Sequence, residues 1–238
     1  MDRDEDPGGL DLMPHVLGLV VLAALIAGPG LWARHVLERH GRDEYFSGTG
    51  IDLARILVRD LNLTDVRVEP TELGDHYDPR DKTVRLNAAS TGKRTLTAVV
   101  VAAHEVGHAL QDQSGDGLLR FRTGLVAFGI WAERIGAAAI MVAPLLGAAL
   151  QVPVVGRMLL VGAAAVLGIP VLVHLVTLPV ELDASFNRAL PLLKTGKYIP
   201  PEDQAAARRI LTACALTYLA QALASMFNIL RWVRIFRR

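Results

Sequence analysis

The chain has 238 residues, 52% of them hydrophobic and 21% charged, with 25 Lys+Arg against 24 Asp+Glu and a formal net charge of +1. That balance excludes a nucleic-acid binder driven by a basic surface, and the hydrophobicity excludes a disordered chain. The one cysteine, Cys214, excludes a disulfide framework and a Cys-rich zinc module.

Residues 1–13 carry one Arg and five acids and read as a flexible acidic tail. Residues 14–33 (PHVLGLVVLAALIAGPGLWA) lack Asp, Glu, Lys and Arg. They are long enough to cross a bilayer and read as a first transmembrane helix. A signal peptide would have a basic start and a small-residue cleavage site, and neither is present. Residues 34–124 mix charges of both signs and read as a water-facing domain. Within it, residues 51–63 place Ile51, Leu53, Ala54, Ile56, Leu57 and Leu61 on one face, which predicts an amphipathic helix. Asp65–Glu69 and Lys82–Asn87 alternate and predict two short strands, paired antiparallel around the polar loop Glu72–Asp81.

The run TLTAVVVAAHEVGHALQ predicts a helix over about 95–112, with Thr95 at its start. It contains His104, Glu105 and His108 in the pattern H-E-x-x-H. Residues four apart share a helix face, so two imidazoles can reach one tetrahedral metal ion. Zinc lowers the pKa of a water in the open position and polarises a carbonyl, and the adjacent glutamate takes the proton. The longer H-E-x-x-H-x-x-G-x-x-H pattern would need Gly at 111 and His at 114, where this chain has Gln111 and Ser114. The third ligand therefore has to come from elsewhere.

Residues 135–180 are apolar apart from Arg157 and His174, and predict two further spans, 135–152 and 158–180. The polar segment 181–209 follows. Glu181 stands at the emergence of the third span, in TLPVELDAS, and is the candidate third ligand. Ser185 is one turn on and shares its face, whereas Asp183 faces away. His174, seven residues before Glu181 in the same span, reads as an intramembrane histidine. Residues 210–230 form a last apolar stretch, spanning or partly inserted, before the basic tail 231–238. Tyr218 within it is a candidate oxyanion donor. Lys and Arg in the flanking segments orient the chain with its N-terminus outside and with 34–124 and 181–209 cytoplasmic. Both halves of the proposed site then fall on one side of the membrane.

Four blocks in order, Asp75-His76-Tyr77-Asp78-Pro79-Arg80, VAAHEVGHALQD, TLPVELDAS and ALTYLAQAL, resemble the YugP-like neutral zinc metallopeptidases of bacteria. The resemblance covers roughly residues 45–230. It implies an integral membrane protein of the bacterial cytoplasmic membrane, mainly α. Its fold would be a helical transmembrane bundle with a zincin-like α+β catalytic domain holding a short β-hairpin or small sheet. It also implies one catalytic Zn²⁺ and peptidase activity on a peptide or protein substrate, membrane proteins included. A more distant similarity to HtpX-type and CAAX prenyl proteases carries Glu181 over as the ligand and Ala184 as the small residue of an E-x-x-A-D block. The Asp that orients a ligand His in that block is Ser185 here, which leaves Ser185, Asp183 or a carboxylate of residues 75–81 for that role. In zincin-like folds a strand edge beside the active helix binds the substrate backbone, which would bring His76 and Tyr77 to the cleft as oxyanion donors.

The expected function is a membrane-embedded zinc metallopeptidase with Glu105 as general base. One alternative is an intramembrane site-2-type protease, but its N-P-x-P-x-x-D-G-like segment is missing and Lys93 and Arg94 lie too near His104 for a mid-span site. The other is a metal-stabilised membrane scaffold, which would need the two histidines but not Glu105.

Overall fold

A computed structural model describes residues 8–150, 162, 166 and 168–236. The connection between the expected spans 135–152 and 158–180, and most of the first half of the latter, lie outside the described residues. The protein is mainly helical, with a small three-stranded sheet.

Helix α1 runs from Gly8 to His40, so it begins inside the stretch read as a tail and passes the end of the first apolar run. Its apolar composition carries it: Met13–His40 is long and apolar enough to cross a membrane. Val16, Leu17 and Val20 lie more than half exposed, and only Ala33 and Val36 near its end enter the core. Much of the surface of the helix is thus left uncovered by the described residues.

Helix α2 (Gly50–Asp60) starts with a capping box in which the Thr49 hydroxyl accepts from the Asp52 N–H and the Asp52 carboxylate accepts from the Thr49 N–H. Such a cap contributes about 1 kcal/mol. The helix buries Ile51, Leu53, Ala54 and Leu57.

The sheet corrects the expected strand pairing. Strand β1 (Arg67–Pro70) pairs parallel, not antiparallel, with β3 (Thr83–Leu86), in the register Arg67↔Thr83 to Pro70↔Leu86. The antiparallel partner of β3 is β2 (His76–Asp78), drawn from the segment read as a loop, with Tyr77 opposite Val84. The order is β1-β3-β2. The segment after β1 is long enough to cross β3 and come back along its other edge. The tight turn therefore joins β2 to β3, with Lys82 at φ 52. Val84 and Leu86 are buried, and Arg85 on the other face pairs with Glu69, Asp78 and Asp81. Strands β1 and β2 are the two edges of the sheet.

Asn87 caps the short helix α3 (Ala88–Gly92) and is itself held by Asp75, which accepts from its N–H and its side-chain amide, both at 2.7 Å. Helix α4 (Leu96–Gln113) begins at Thr95, whose hydroxyl accepts from the Ala98 N–H. Nearly every side chain of α4 is buried. It is the central element, touching α1, α2, α3 and the sheet on its flanks.

After α4 come α5 (Gly117–Leu150), α6 (Ile169–Leu182), a π-helical turn at Asp183–Ala189, α7 (Leu190–Thr195), a 3₁₀ turn at Pro201–Asp203, and α8 (Gln204–Phe236). Helix α5 is continuous across the boundary at 124–135 where the water-facing domain was expected to end. The stretch Ile169–Thr195 is the second that is long and apolar enough to cross a membrane. Helix α8 packs along α1 and α6, and α5 along α6. Phe128, Trp131, Ile135 and Leu145 on α5 and Leu172 and Leu175 on α6 point outward, exposed.

Candidate metal centre

The middle of α4 meets the end of α6 and the π-helical turn. His104, Glu105, His108 and Glu181 are all buried there. The Nε2 atoms of His104 and His108 lie 3.1 Å and 3.2 Å from the same oxygen, Oε2 of Glu181. The two imidazoles stand edge to face, 4.7 Å apart and 77° inclined. One ligand atom from each of the three residues falls within 4.8 Å of the others.

The hydrogen bonds behind the rings decide what the front of the site can hold. Ser185 Oγ–H donates to the Leu211 carbonyl at 3.4 Å, so its oxygen accepts from His104 Nδ1–H at 3.1 Å. Gln111 Nε2 donates to the Val180 carbonyl and to Asp183 Oδ2, which turns its Oε1 towards His108 Nδ1–H at 2.9 Å. Both rings thus carry their proton on Nδ1 and present the Nε2 lone pair to a carboxylate oxygen. Three acceptors converging in a buried space repel one another unless a cation sits among them. Two imidazoles and one carboxylate are a borderline-soft set that suits zinc. Without the ion a proton takes this place. Burial alone pulls the His108 imidazole down, but the Glu181 carboxylate beside it more than offsets this and holds it above its ordinary range. Metal uptake must expel that proton, so it is favoured as the pH rises.

Glu105 is 6% exposed and, among the described residues, enters no ion pair. Burial pushes its carboxyl above the usual carboxylate range, against the lowering pull of His104 and His108. That places it closer to the pH at which a base can both take and return a proton.

The other candidates from the sequence fall in different places. Ser185 and Asp183 both support the candidate ligand histidines, Ser185 directly and Asp183 through Gln111. Asp183 is further held by Arg188 at 2.9 Å and by Asn187. His76 is turned back onto the Gly74 carbonyl, to which Nδ1–H donates at 2.7 Å. Tyr77 points into the core, and its hydroxyl is committed to Asp112 at 2.8 Å. These contacts leave neither side chain aimed at the ligands. Tyr218 is half-buried on α8.

Gln111 was missed as a site residue, being read only as the departure from a longer motif. Its place three residues after His108, on the same helix face, is the signal that could have found it. Gln111→Leu keeps the volume but removes the acceptor for His108 and the donors for Val180 and Asp183. Metal affinity should fall about 10- to 100-fold, measured by competition with a chromogenic chelator. An unchanged affinity would mean that the ring is oriented by packing alone.

Residues 15–237 match the model of a family described as "Putative neutral zinc metallopeptidase". The "Putative membrane protease YugP" of Bacillus subtilis (strain 168) is 36% identical over 224 residues, spanning 91% of this chain and 95% of that protein. No solved structure matches.

Proposed function

We infer that this chain, which belongs to the neutral zinc metallopeptidase family, hydrolyses peptide bonds at the inner face of a membrane, with His104, His108 and Glu181 holding one zinc ion. The observation that carries this reading is the convergence of two Nε2 lone pairs and a carboxylate oxygen beside a buried Glu105 that takes no part in the cluster.

When bound, zinc supplies a Lewis acid that polarises the scissile carbonyl and makes water more acidic. The chain does the rest. Glu105 accepts one proton from water as its oxygen adds to the carbonyl carbon. It then passes that proton to the amide nitrogen as the C–N bond breaks, leaving a carboxylic acid and an amine. Ser185 and Gln111 hold the two imidazoles in the tautomer that leaves Nε2 free. The enclosure of α4 by α2, the sheet and the π-helical turn excludes bulk water from the ligands and strengthens each of these interactions.

The membrane part of the reading rests on apolar surface. Helix α1 and the stretch from Ile169 are long and apolar enough to span. The exposed Phe128, Trp131 and Ile135 on α5, together with Leu172 and Leu175 on α6, suit contact with lipid better than with water. On this reading four stretches make the bundle: 14–33, 135–152, 158–180 and 210–230. The N-terminus is outside, and α4 and Glu181 are on the cytoplasmic side. An intramembrane protease of the site-2 type fits less well, because α4 is buried among α2, the sheet and the π-helical turn.

The test is zinc content and cleavage of an unfolded, casein-like substrate by the purified full chain. Glu181→Ala should bind zinc at least about tenfold more weakly and lose cleavage with it. Unchanged zinc stoichiometry in that variant would remove Glu181 from the ligand set.

A further inference from the structure

A peptidase must also recognise its substrate, and one arginine has a buried nitrogen without a partner among the described residues. Arg122 lies in the second turn of α5. Its Nε is buried and without a hydrogen-bond partner among the described residues. The acid that shares its cleft, Asp78, is already engaged by Arg85 and the Arg80 N–H. A buried N–H without an acceptor costs about 1–3 kcal/mol, a cost that an acceptor brought by a ligand would remove.

Its surroundings say what that is. Arg122, Thr123 and Val126 form one wall of a 220 Å³ cleft whose other wall is β2 and the turn Pro79–Arg80. Strand β2 is one of the two edges of the sheet, a place where an extended peptide can add by main-chain hydrogen bonds. The cleft holds three basic side chains, His76, Arg80 and Arg122. Its one acid, Asp78, is taken by Arg85. The cleft adjoins the helix that carries the two histidines: Tyr77 in its wall donates to Asp112, one turn beyond His108 on α4. The guanidinium thus faces the edge strand in a cleft of net positive charge.

We propose that Arg122 binds a carboxylate of the substrate, an acidic side chain or a free C-terminus, in the cleft between α5 and the edge strand β2, and thereby selects which peptides are cut. The planar fork of arginine matches a carboxylate in two parallel hydrogen bonds, which lysine cannot reproduce. The proposal rests on the peptidase reading and specifies its substrate.

The test uses the full chain in detergent, as Glu105→Gln so that peptides stay intact. Binding is measured by fluorescence anisotropy. One labelled peptide is varied by placing Glu or Gln at each position in turn, and by leaving its C-terminus free or amidated. A carboxylate at one place should tighten binding about 10- to 100-fold, the range of a charge-assisted hydrogen-bonded pair. Loss of that advantage on amidation identifies the C-terminus; loss on Glu to Gln identifies a side chain. Adding Arg122→Gln should bring the ratio between carboxylate and neutral peptides close to one, with zinc content as the control for folding. Arg122→Lys should leave an intermediate ratio. No carboxylate advantage in the parent, or an undiminished one in Arg122→Gln, overturns the proposal. Cleavage by the chain with Glu105 intact separates the two readings. Glu105-dependent cleavage without carboxylate preference sinks the Arg122 proposal and leaves the peptidase standing. Arg122-dependent binding with no cleavage of any peptide does the reverse.

Discussion

Glu105→Gln is expected to lower peptide cleavage about 10²- to 10⁴-fold while zinc content stays that of the parent chain, because general-base transfer contributes on that order. The geometry separates the two effects. The Nε2 atoms of His104 and His108 converge on Glu181, and Glu105 lies next to that cluster without entering it. A glutamine keeps the size of the side chain and can still accept a hydrogen bond, but it cannot carry a proton from water to the leaving nitrogen. It also removes a buried carboxyl whose ionised form burial disfavours, so stability should hold or rise slightly. The measurements are metal analysis and initial rates on one preparation. Cleavage at the parental rate with zinc retained would make the site structural, as a scaffold requires. Loss of zinc along with activity would mean that Glu105 is needed to build the site and that its chemical role has not been isolated.

The α4 helix was legible because every local signal agrees: an apolar run free of proline, Thr95 to cap it, and His104 and His108 one turn apart. The approach of Glu181 was legible through a resemblance and through its place at the end of an apolar stretch. The sheet was read in part. The alternation that marks β1 and β3 says nothing about which strands are neighbours, and β2 is three polar residues with no apolar period of their own. The hydrogen bonds behind the rings were half legible. Ser185 follows from helical spacing. The Gln111 amide is fixed by Asp183 and the Val180 carbonyl, groups 72 and 69 positions away. Arg122 carries no sequence signal, because what marks it is a buried Nε without a partner among the described residues.

Gly107→Ala should weaken metal binding at least about tenfold, although alanine is the better helix former. A Cβ built at Gly107 would lie 2.8 Å from the Ala184 carbonyl oxygen, which belongs to the backbone of the π-helical turn and cannot swing aside as a side chain could. Two opposing terms can be compared. Glycine to alanine inside a helix gains about 1 kcal/mol in propensity. Forcing a methyl group into a filled contact costs about 1–3 kcal/mol. Net stability should therefore fall by no more than about 2 kcal/mol, and the protein should still fold. The contact, however, is also the one that sets the distance between the two halves of the site. Gly107 lies between His104 and His108 on α4, and Ala184 lies between Glu181 and Ser185 on the opposing turn. Relief of the clash must move α4 away from the turn, lengthening His104–Glu181 and His104–Ser185 together. A metal site tolerates only a few tenths of an ångström in its ligand distances. Zinc affinity is the sensitive readout and the thermal midpoint the insensitive one. A variant that loses stability but binds zinc as tightly as the parent would show that the two halves are held in register by something other than this close approach.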